Sequence, residues 1–290
     1  MNNFTKLSLF ALLLATTIFS SCTKEYESIQ AVDDVAIQAY INSNKLTMTK
    51  DATSGYYYNV ITPGTGAVIK NSDSVYYSYT FKLLNGTVLN KTSDLMIPGT
   101  FLGYTDQFTI GGTAYVFTPI REVLTKLKRG GTASLIMPSN LAFGKNGLSA
   151  INVGSNENII VDLGIYTQAK RHEVDEFEIN KFIADNKLTM IKDVSRARYS
   201  ISNPGTGTSV ITVNSTIAAN YTLRYLDGTV IQTVTDGSFS GLLSDLVKGW
   251  QLILPGKVTT GGKLRLIIPS DLGYGTTPLD FDIEIVSVTN

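Results

Sequence analysis

The sequence predicts an α+β protein that contains two tandem copies of one unit. Each copy is expected to be an antiparallel sheet wrapped on a short helix and preceded by a longer helix. Asn-Lys-Leu-Thr-Met occurs at Asn44–Met48 and again at Asn186–Met190, 142 residues later (186 minus 44). Pro-Gly-Thr-Gly also occurs twice in the same order, at Pro63–Gly66 and Pro204–Gly207. Two matched segments in one order indicate an internal duplication.

Composition agrees with this fold and excludes several functions. The 290 residues suffice for two domains of roughly 100–150 residues, and 25 glycines and 15 tyrosines fit a strand-rich chain with many turns. Lys+Arg and Asp+Glu both number 24, so the charge pattern of a nucleic-acid-binding protein is missing. One Cys and one His cannot form a zinc set, a disulfide or a Ser–His–Asp triad within the chain. We therefore expect no metal and no cofactor.

The N-terminus has the pattern of a targeting segment. An apolar run from Leu7 to Ile18 is too short to span a membrane, and Phe19-Ser20-Ser21 precedes Cys22, the single cysteine. This resembles a bacterial lipoprotein cleavage site, with residues 1–21 as signal peptide, Cys22 as the lipidated residue and 22–31 as a tether. The resemblance implies a membrane anchor through the lipid. The alternative is an ordinary secretory peptide that leaves Cys22 free.

Each copy begins with a helix, at Val32–Asn44 and Glu173–Asn186. We therefore predict domains at 32–170 and 171–290. Apolar residues recur at helical spacing in both segments. The expected buried positions are Val32, Val35, Ala36, Ala39 and Tyr40 in the first, and Val174, Phe177, Ile179, Phe182 and Ile183 in the second. His172 lies in the charged stretch between the copies and is interpreted as part of a solvated spacer.

Alternating strands and turns follow each helix in the same order. Asn85-Gly86 and Asp227-Gly228 are strong hairpin signals. Strands are expected at Tyr56–Ile61, Ser74–Leu84, Thr132–Met137 and Asn158–Tyr166, and in the second copy at Arg198–Ser202, Thr216–Leu226, Lys263–Ile268 and Leu279–Val288. The segments 108–111 and 239–242 are expected to be irregular. Short helices are predicted at Pro119–Leu127 and Lys248–Ile253, each packed across its sheet.

The motifs of the second copy resemble those of a known family. Tyr221-Thr222, Gly249-Trp250, Gly-Gly-Lys-Leu at 261–264, Ile-Pro-Ser-Asp-Leu-Gly-Tyr-Gly at 268–275 and Phe-Asp-Ile-Glu-Ile at 281–285 follow one another in this order. This order resembles the FKBP-type peptidyl-prolyl cis-trans isomerases. The first copy is similar over 57–167, more loosely. The whole chain resembles the tandem-FKBP lipoproteins of Bacteroidota.

The resemblance implies an aromatic bowl for proline-containing polypeptides in the second copy. Trp250 matches the floor, Tyr221 and Phe281 match the walls, and Tyr274 matches the tyrosine whose hydroxyl bonds a substrate carbonyl. Further matches are Phe239 and the pair Leu246-Val247, whose backbone bonds the peptide. The first copy offers Tyr79, Phe108, Val116 and Phe117, with Ile120, Phe143 and Val161 in place of tryptophan, tyrosine and phenylalanine. The same aromatic residues also suit an ordinary core.

Two departures from the family pattern leave the function open. Ile231-Gln232 stands where the family has Phe-Asp, and Gly275–Pro278 leaves almost no flap after the tyrosine. The first hypothesis is an isomerase that helps exported proteins fold in the cell envelope, at the outer membrane. The alternative is a catalytically degenerate lipoprotein that binds a protein or peptide partner there. A structural accessory of an envelope complex is a third.

Overall fold

The computed structural model describes residues 28–110 and 113–290. The first copy begins with helix α1 (Ile29–Ser43) and forms an antiparallel sheet in the order β1-β2-β8-β9-β3-β4, with β5 also paired to β3. Its strands are β1 (Thr49–Lys50), β2 (Tyr57–Thr62), β3 (Ser74–Leu83), β4 (Val88–Lys91), β5 (Gly99–Phe101), β8 (Thr132–Met137) and β9 (Ile159–Ile165). A separate hairpin joins β6 (Gln107–Ile110) and β7 (Thr113–Val116), and helix α2 (Thr118–Leu124) follows.

The second copy has the same plan without the extra hairpin. Helix α3 (Arg171–Asp185) precedes an antiparallel sheet in the order β10-β11-β14-β15-β12-β13. Its strands are β10 (Ile191–Lys192), β11 (Arg198–Asn203), β12 (Thr216–Tyr225), β13 (Val230–Leu242), β14 (Lys263–Ile268) and β15 (Leu279–Thr289), with helix α4 (Lys248–Ile253) between β13 and β14. The duplicated α+β fold predicted from the sequence is therefore present.

Each sheet is covered on both faces, which adds a layer to the predicted arrangement. The short helices α2 and α4 pack on the inner faces, within the two largest apolar clusters. On the outer face of the first sheet, Ile37 of α1 packs with Ile136 and Ile160. On the second, Ile179 and Phe182 of α3 pack with Leu226 and Ile267. Strand side chains alternate between faces, so a sheet that is apolar on both faces needs a helix on each.

The predicted buried face of α1 was wrong in part, since Tyr40 packs in the cluster with Ile37 and the valines do not. Val32 and Val35 are 44% and 67% exposed, and the buried residues are Asp33 and Ile37. The helix is therefore rotated relative to the expectation, because the sheet offers Ile136 and Ile160 to Ile37. It also begins at Ile29, inside the predicted tether 22–31. For α3 the predicted positions Val174, Ile179 and Phe182 are buried, together with the acids Asp175 and Glu178.

The repeated Asn-Lys-Leu-Thr-Met segment ends each leading helix. The Asn44 side chain donates to the Tyr40 carbonyl at 2.9 Å, and the Asn186 side chain donates to the Phe182 carbonyl at 2.9 Å. The following lysines, Lys45 and Lys187, adopt left-handed φ values of 53° and 52°. One left-handed residue at this position is the usual way in which a helix ends and the chain reverses. The repeated segment is therefore a structural element of both copies.

Two segments expected to be irregular are ordered as strands. Residues 108–110 belong to β6, and 239–242 continue β13, which is the edge strand of the second sheet. A bulge in β13 at Gly237 (φ 70°) accounts for the broken alternation there. The Gly237 amide donates to the Asn220 side chain at 2.8 Å. The bulge hides a continuous strand from a pattern search based on strict alternation.

Helix α3 also contacts the first copy. Val174 and Phe177 form a cluster with Tyr76, Ile97 and Tyr166, and the ring centres of Tyr166 and Phe177 lie 5.8 Å apart. Because α3 packs on both sheets, the predicted boundary at 170/171 stays a prediction.

A polar group lies at the same contact between the copies. The fully buried Glu178 accepts from the Ile97 amide at 2.6 Å and pairs with Arg171. The Arg171 side chain in turn donates to the Ile97 carbonyl at 3.3 Å. The contact between the copies therefore includes an ion pair that is anchored to the backbone of the first copy.

The N-terminal predictions, including Cys22 and the signal peptide at 1–21, lie outside the described residues. Within 28–110 and 113–290, no helix is long and apolar enough to cross a membrane.

The first prediction concerns Glu178 and pH. Burial raises the pKa of Glu178 from 4.5 to about 7, against the opposing effects of Arg171 and the Ile97 amide. Between these values the folded protein keeps a proton that the unfolded chain has released, so the contribution of Glu178 to stability is greatest below pH 4.5 and is lost as pH rises to 7. Glu178→Gln should remove this slope, which corresponds to ~3 kcal/mol at most. Urea denaturation of both proteins across this pH range measures it.

The control is Asp185→Asn, at the exposed end of the same helix, which should keep the slope of the wild type. Parallel pH profiles for wild type and Glu178→Gln would contradict the buried-carboxylate explanation.

Candidate functional site

Four of the predicted aromatic residues form one cluster on the inner face of the second sheet. Trp250 is 3% exposed and meets the rings of Tyr221, Phe239 and Phe281 at centroid distances of 5.6, 6.0 and 5.6 Å. Tyr221 and Phe239 are themselves 5.1 Å apart at 85°. All four contacts are edge-to-face, the arrangement that the ring quadrupoles favour. We call this group (Tyr221, Phe239, Trp250, Phe281) the aromatic bowl.

Three strands and one short helix position the bowl. Tyr221 lies on β12, Phe239 on β13 and Phe281 on β15, while Trp250 lies on α4. A Cβ atom on Gly249 would lie 2.3 Å from Cγ2 of Ile268, so only glycine lets α4 approach β14 this closely. Trp250 is the next residue, so the close approach of α4 at Gly249 packs the indole ring against the sheet. Its indole Nε1 is buried and has no acceptor among the described residues. A buried donor without an acceptor is uncommon in a folded protein.

The remaining predicted residues lie around the bowl at different depths. Leu246 and Val247 are half-buried and pack against the cluster just before α4. Gln232 pairs in register with Leu223, which lies two residues after Tyr221 on β12. Ile231 is 41% exposed at a register shift, so the structure does not bring it into the buried cluster. Tyr274 is 64% exposed and lies close enough to Tyr221 to raise its pKa, and we call this position the rim of the bowl.

Tyr221 is the one titratable residue among the four of the bowl, and its pKa is shifted. Burial, as the largest cause, raises the pKa of the Tyr221 hydroxyl, the nearby Tyr274 adds to it, and the neighbouring Gln232 side chain opposes it. The hydroxyl therefore stays protonated at neutral pH and is a hydrogen-bond donor. Gln232 thus acts on the wall tyrosine, as an amide and not as a carboxylate.

The matching region of the first copy is filled by its own side chains. Tyr79 and Phe108 repeat the edge-to-face pair at 5.3 Å and 88°. Phe117 is 1% exposed and contacts both Phe108 and Phe143, at 5.7 and 5.5 Å. Phe143, the counterpart of Tyr274, is only 8% exposed. The aromatic side chains pack against one another in both copies, and the difference is that Phe143 is buried whereas Tyr274 is 64% exposed.

A swap of large and small residues across the sheet explains part of this difference. In the first copy Phe81 lies opposite Val161, whereas in the second Leu223 lies opposite Phe281. The large ring thus changes strand between the copies. Ile120, which takes the place of Trp250, is fully buried beside Phe81 in the first core. Val116 is 63% exposed and belongs to the surface.

Comparison with known proteins assigns both copies to one family. The family described as "FKBP-type peptidyl-prolyl cis-trans isomerase" matches residues 66–163 and 207–286, together more than half of the chain. The chain belongs to this family. Each matched segment covers most of one sheet, from β3 into β9 and from β12 into β15, so the fold is a tandem of FKBP units.

Curated relatives of these FKBP units come from several bacteria. The isomerase FkpA from Buchnera aphidicola is 31% identical over 123 residues, 36% of this chain and 47% of its own length. The outer membrane protein MIP of Legionella longbeachae is 32% identical over 117 residues, 40% of this chain and 46% of its own. The chain therefore spans about half the length of the curated relatives it matches.

A solved structure covers more of the chain, with a looser fit. The crystal structure of FkpA from Escherichia coli covers 57% of this chain and 72% of its own, with 20% identity and a TM-score of 0.37.

A groove of about 430 Å³ opens on the second FKBP unit at Asn220, Lys263 and Glu284. Its charges are already paired, with Lys263 3.0 Å from Glu284. In the described part of the chain, no group of three His, Cys, Asp or Glu side chains is arranged to hold a metal ion.

Sequence reasoning missed the polar residues that hold the second FKBP unit together. Asp175 is 1% exposed and its carboxylate accepts from the amide and the hydroxyl of Ser270, at 3.0 and 2.7 Å. The predicted Pro-Ser-Asp-Leu turn contains Ser270, yet the acid that holds it lies 95 residues earlier. The available signal was the repeat itself, since Asp33 occupies the matching position of α1.

The second prediction concerns Gly249 and the position of Trp250. Gly249→Ala places a methyl group against Ile268, so α4 has to move away from the sheet. We expect a loss of roughly 1–3 kcal/mol in unfolding free energy from overpacking. Trp250 is the single tryptophan, so its fluorescence reports on the bowl alone, and its emission should shift to the red.

Gly154→Ala is the matched control, because a Cβ there meets nothing closer than the flexible Glu157 side chain at 3.4 Å. Unchanged emission and stability in Gly249→Ala would show that α4 does not pack as closely as described.

Proposed function

We propose that the chain is a peptidyl-prolyl cis-trans isomerase of the FKBP type and that the second unit carries the activity. The observation that carries the proposal is the aromatic bowl around Trp250, with Tyr274 exposed at its rim. Membership in the isomerase family supports it. The first unit fills the corresponding space with Phe117 and Phe143, which favours a structural or protein-binding role for that unit.

The chemistry suits a site without nucleophile or metal. Rotation about a peptide bond is opposed by amide resonance, with a barrier of about 18–20 kcal/mol. The twisted amide has lost charge separation, so a water-poor aromatic surface favours it over the planar ground state. Trp250 and Phe281 supply that surface, and the Tyr274 hydroxyl is free to reach a substrate carbonyl at the rim. The buried indole Nε1 is a second donor that faces no acceptor in the described chain.

The substrates in this proposal are proline-containing segments of exported polypeptides. The lipoprotein-like N-terminus, with Cys22 as the lipidated residue, supports a place in the cell envelope at the outer membrane. The relative from Legionella longbeachae carries the name of an outer membrane protein, which agrees with that place. The slow exchange of X-Pro bonds, tens to hundreds of seconds without catalysis, gives such an enzyme its use in protein folding.

A second candidate is an FKBP unit that binds a protein or peptide without catalysis. Two observations favour it. Gln232 acts on Tyr221 through a neutral amide. Strand β15 begins at Leu279, so only four residues separate it from Tyr274 (279 minus 274, less one) and no flap covers the bowl. Both features are compatible with a surface that binds a peptide. Neither provides a fully enclosed site.

The third prediction separates these functions. Exchange spectroscopy by NMR on an Ala-Leu-Pro-Phe peptide should show acceleration by protein that lacks residues 1–22. Tyr274→Phe should lower the catalysed rate roughly 2- to 10-fold, the effect of one lost hydrogen bond. Trp250→Phe should lower it as well, since a smaller ring leaves part of the floor empty.

Tyr104→Phe is the matched control, an equally exposed tyrosine (67%) in the first unit. Its rate should equal that of the wild type. If the folded protein does not accelerate exchange while the same peptide still shifts the Trp250 resonance, the binding function replaces the catalytic one.

A further inference from the structure

The two FKBP units share a buried hydrogen-bonded lock between the leading helix and a turn. Asp33 of α1 accepts from the amide and hydroxyl of Ser139 at 2.9 and 2.7 Å. Asp175 of α3 makes the same two bonds with Ser270, at 3.0 and 2.7 Å. Both carboxylates are almost fully buried, at 2% and 1% exposure. Buried carboxylates need such donors, so the lock fixes the helix to the turn in each unit.

In the second unit this turn supports Tyr274. The Ser270 carbonyl accepts from the amides of Gly273 and Gly275, at 3.1 and 2.7 Å. These two glycines flank Tyr274, so both ends of its backbone are tied to Ser270. Ser270 is itself held through its amide and hydroxyl by Asp175. The position of the exposed tyrosine therefore depends on a carboxylate of α3.

The lock of the second unit depends on fewer groups than that of the first. In the first unit the Asn158 side chain also accepts from the Ser139 amide, at 3.1 Å. Asn158 directly precedes β9, and the residue that directly precedes β15 is Pro278, whose side chain has no acceptor. Asp175 is thus the side chain that holds Ser270, whereas Asp33 shares this task.

Helix α3 also connects its lock to the first unit. Arg171 donates to the second oxygen of Asp175 at 2.6 Å and to the Ile97 carbonyl at 3.3 Å. Glu178 pairs with Arg171 and accepts from the Ile97 amide. The repeat offset of 142 places Ile29 and Ala36 at the matching positions of α1, so the first unit has the lock without these charges. Arg171 and Glu178 therefore belong to the contact between the units.

We propose that Asp175 is the positioning residue for Tyr274 and that Arg171 makes this position depend on the contact with Ile97 of the first unit. The first FKBP unit, with its filled core, then acts as a support for the site of the second. The inference deepens the proposed function, but the placement of Tyr274 is measurable whether or not the chain catalyses isomerisation.

The test uses full-length mature protein with a fluorinated tyrosine incorporated at position 274 and 19F NMR of the native state. Asp175→Asn should shift and broaden the resonance, because the neutral amide offers one acceptor where the carboxylate offers two. Arg171→Gln should move it in the same direction by less. Asp33→Asn, the matched change in the first unit, should leave it in place. Ser270→Ala, which removes the hydroxyl bond and keeps the amide bond, should give an intermediate shift and serves if Asp175→Asn does not fold.

The same variants should lower the catalysed rate on the peptide in the order of their shifts, by roughly 2- to 10-fold for Asp175→Asn. A peptide that is not isomerised by the wild type overturns the proposed function and leaves the 19F result valid. A resonance that stays in place in both Asp175→Asn and Ser270→Ala, with only a lower melting temperature, reduces the lock to a structural role and overturns the positioning role. A shift of equal size in Asp33→Asn also overturns it. A shift in Asp175→Asn but none in Arg171→Gln overturns the dependence on the first unit.

Discussion

An antiparallel sheet with apolar side chains on both faces needs cover on both sides, and this constraint organises each FKBP unit. The inner face carries the aromatic residues and is covered by the short helix α2 or α4. The outer face carries Ile136 and Ile160, or Leu226 and Ile267, and would lie in water without the leading helix. Burial of such side chains is worth about 1.5–3 kcal/mol each, so the leading helix is part of the fold and not an appendage. The buried aspartate and the helix-ending lysine fix where that helix begins its contact and where it stops.

The two units show how one backbone arranges its aromatic residues in two ways. At matching cross-strand pairs, the first unit has its phenylalanine on β3 (Phe81) and the second has it on β15 (Phe281). Each core therefore keeps one large ring, but the ring comes from a different strand of the pair. Once Phe81 fills the centre of the first unit, there is less room for a tryptophan from α2, and Ile120 stands there. Phe117 and Phe143 then close the space above it. In the second unit Trp250 packs edge-to-face against Tyr221, Phe239 and Phe281, and the counterpart of the buried Phe143 is the exposed Tyr274.

Much of this fold was accessible from the sequence, because turns and duplication are local signals. The bounds of α4, β8 and β14 were predicted to the residue. The aromatic bowl followed from the family resemblance, and the structure brings its four members into contact. The buried face of α1 was not predictable, since Val32 and Val35 suit a helical stripe as well as Ile37 does and only the sheet decides between them. Asp33, Asp175 and Glu178 were equally hidden, because a single-sequence pattern treats acids as surface residues and their partners lie far away in the chain.

The bulge at Gly237 has a consequence for self-association. Strand β13 has 13 residues at the edge of its sheet, and Asp236 is its one charged side chain. A long, flat, weakly charged edge is a template on which a second chain is able to add a strand. The bulge divides this edge into two short stretches, and the bond from the Gly237 amide to Asn220 turns one backbone donor inward. The interruption therefore makes this edge a poorer template for strand addition by a second copy of the chain.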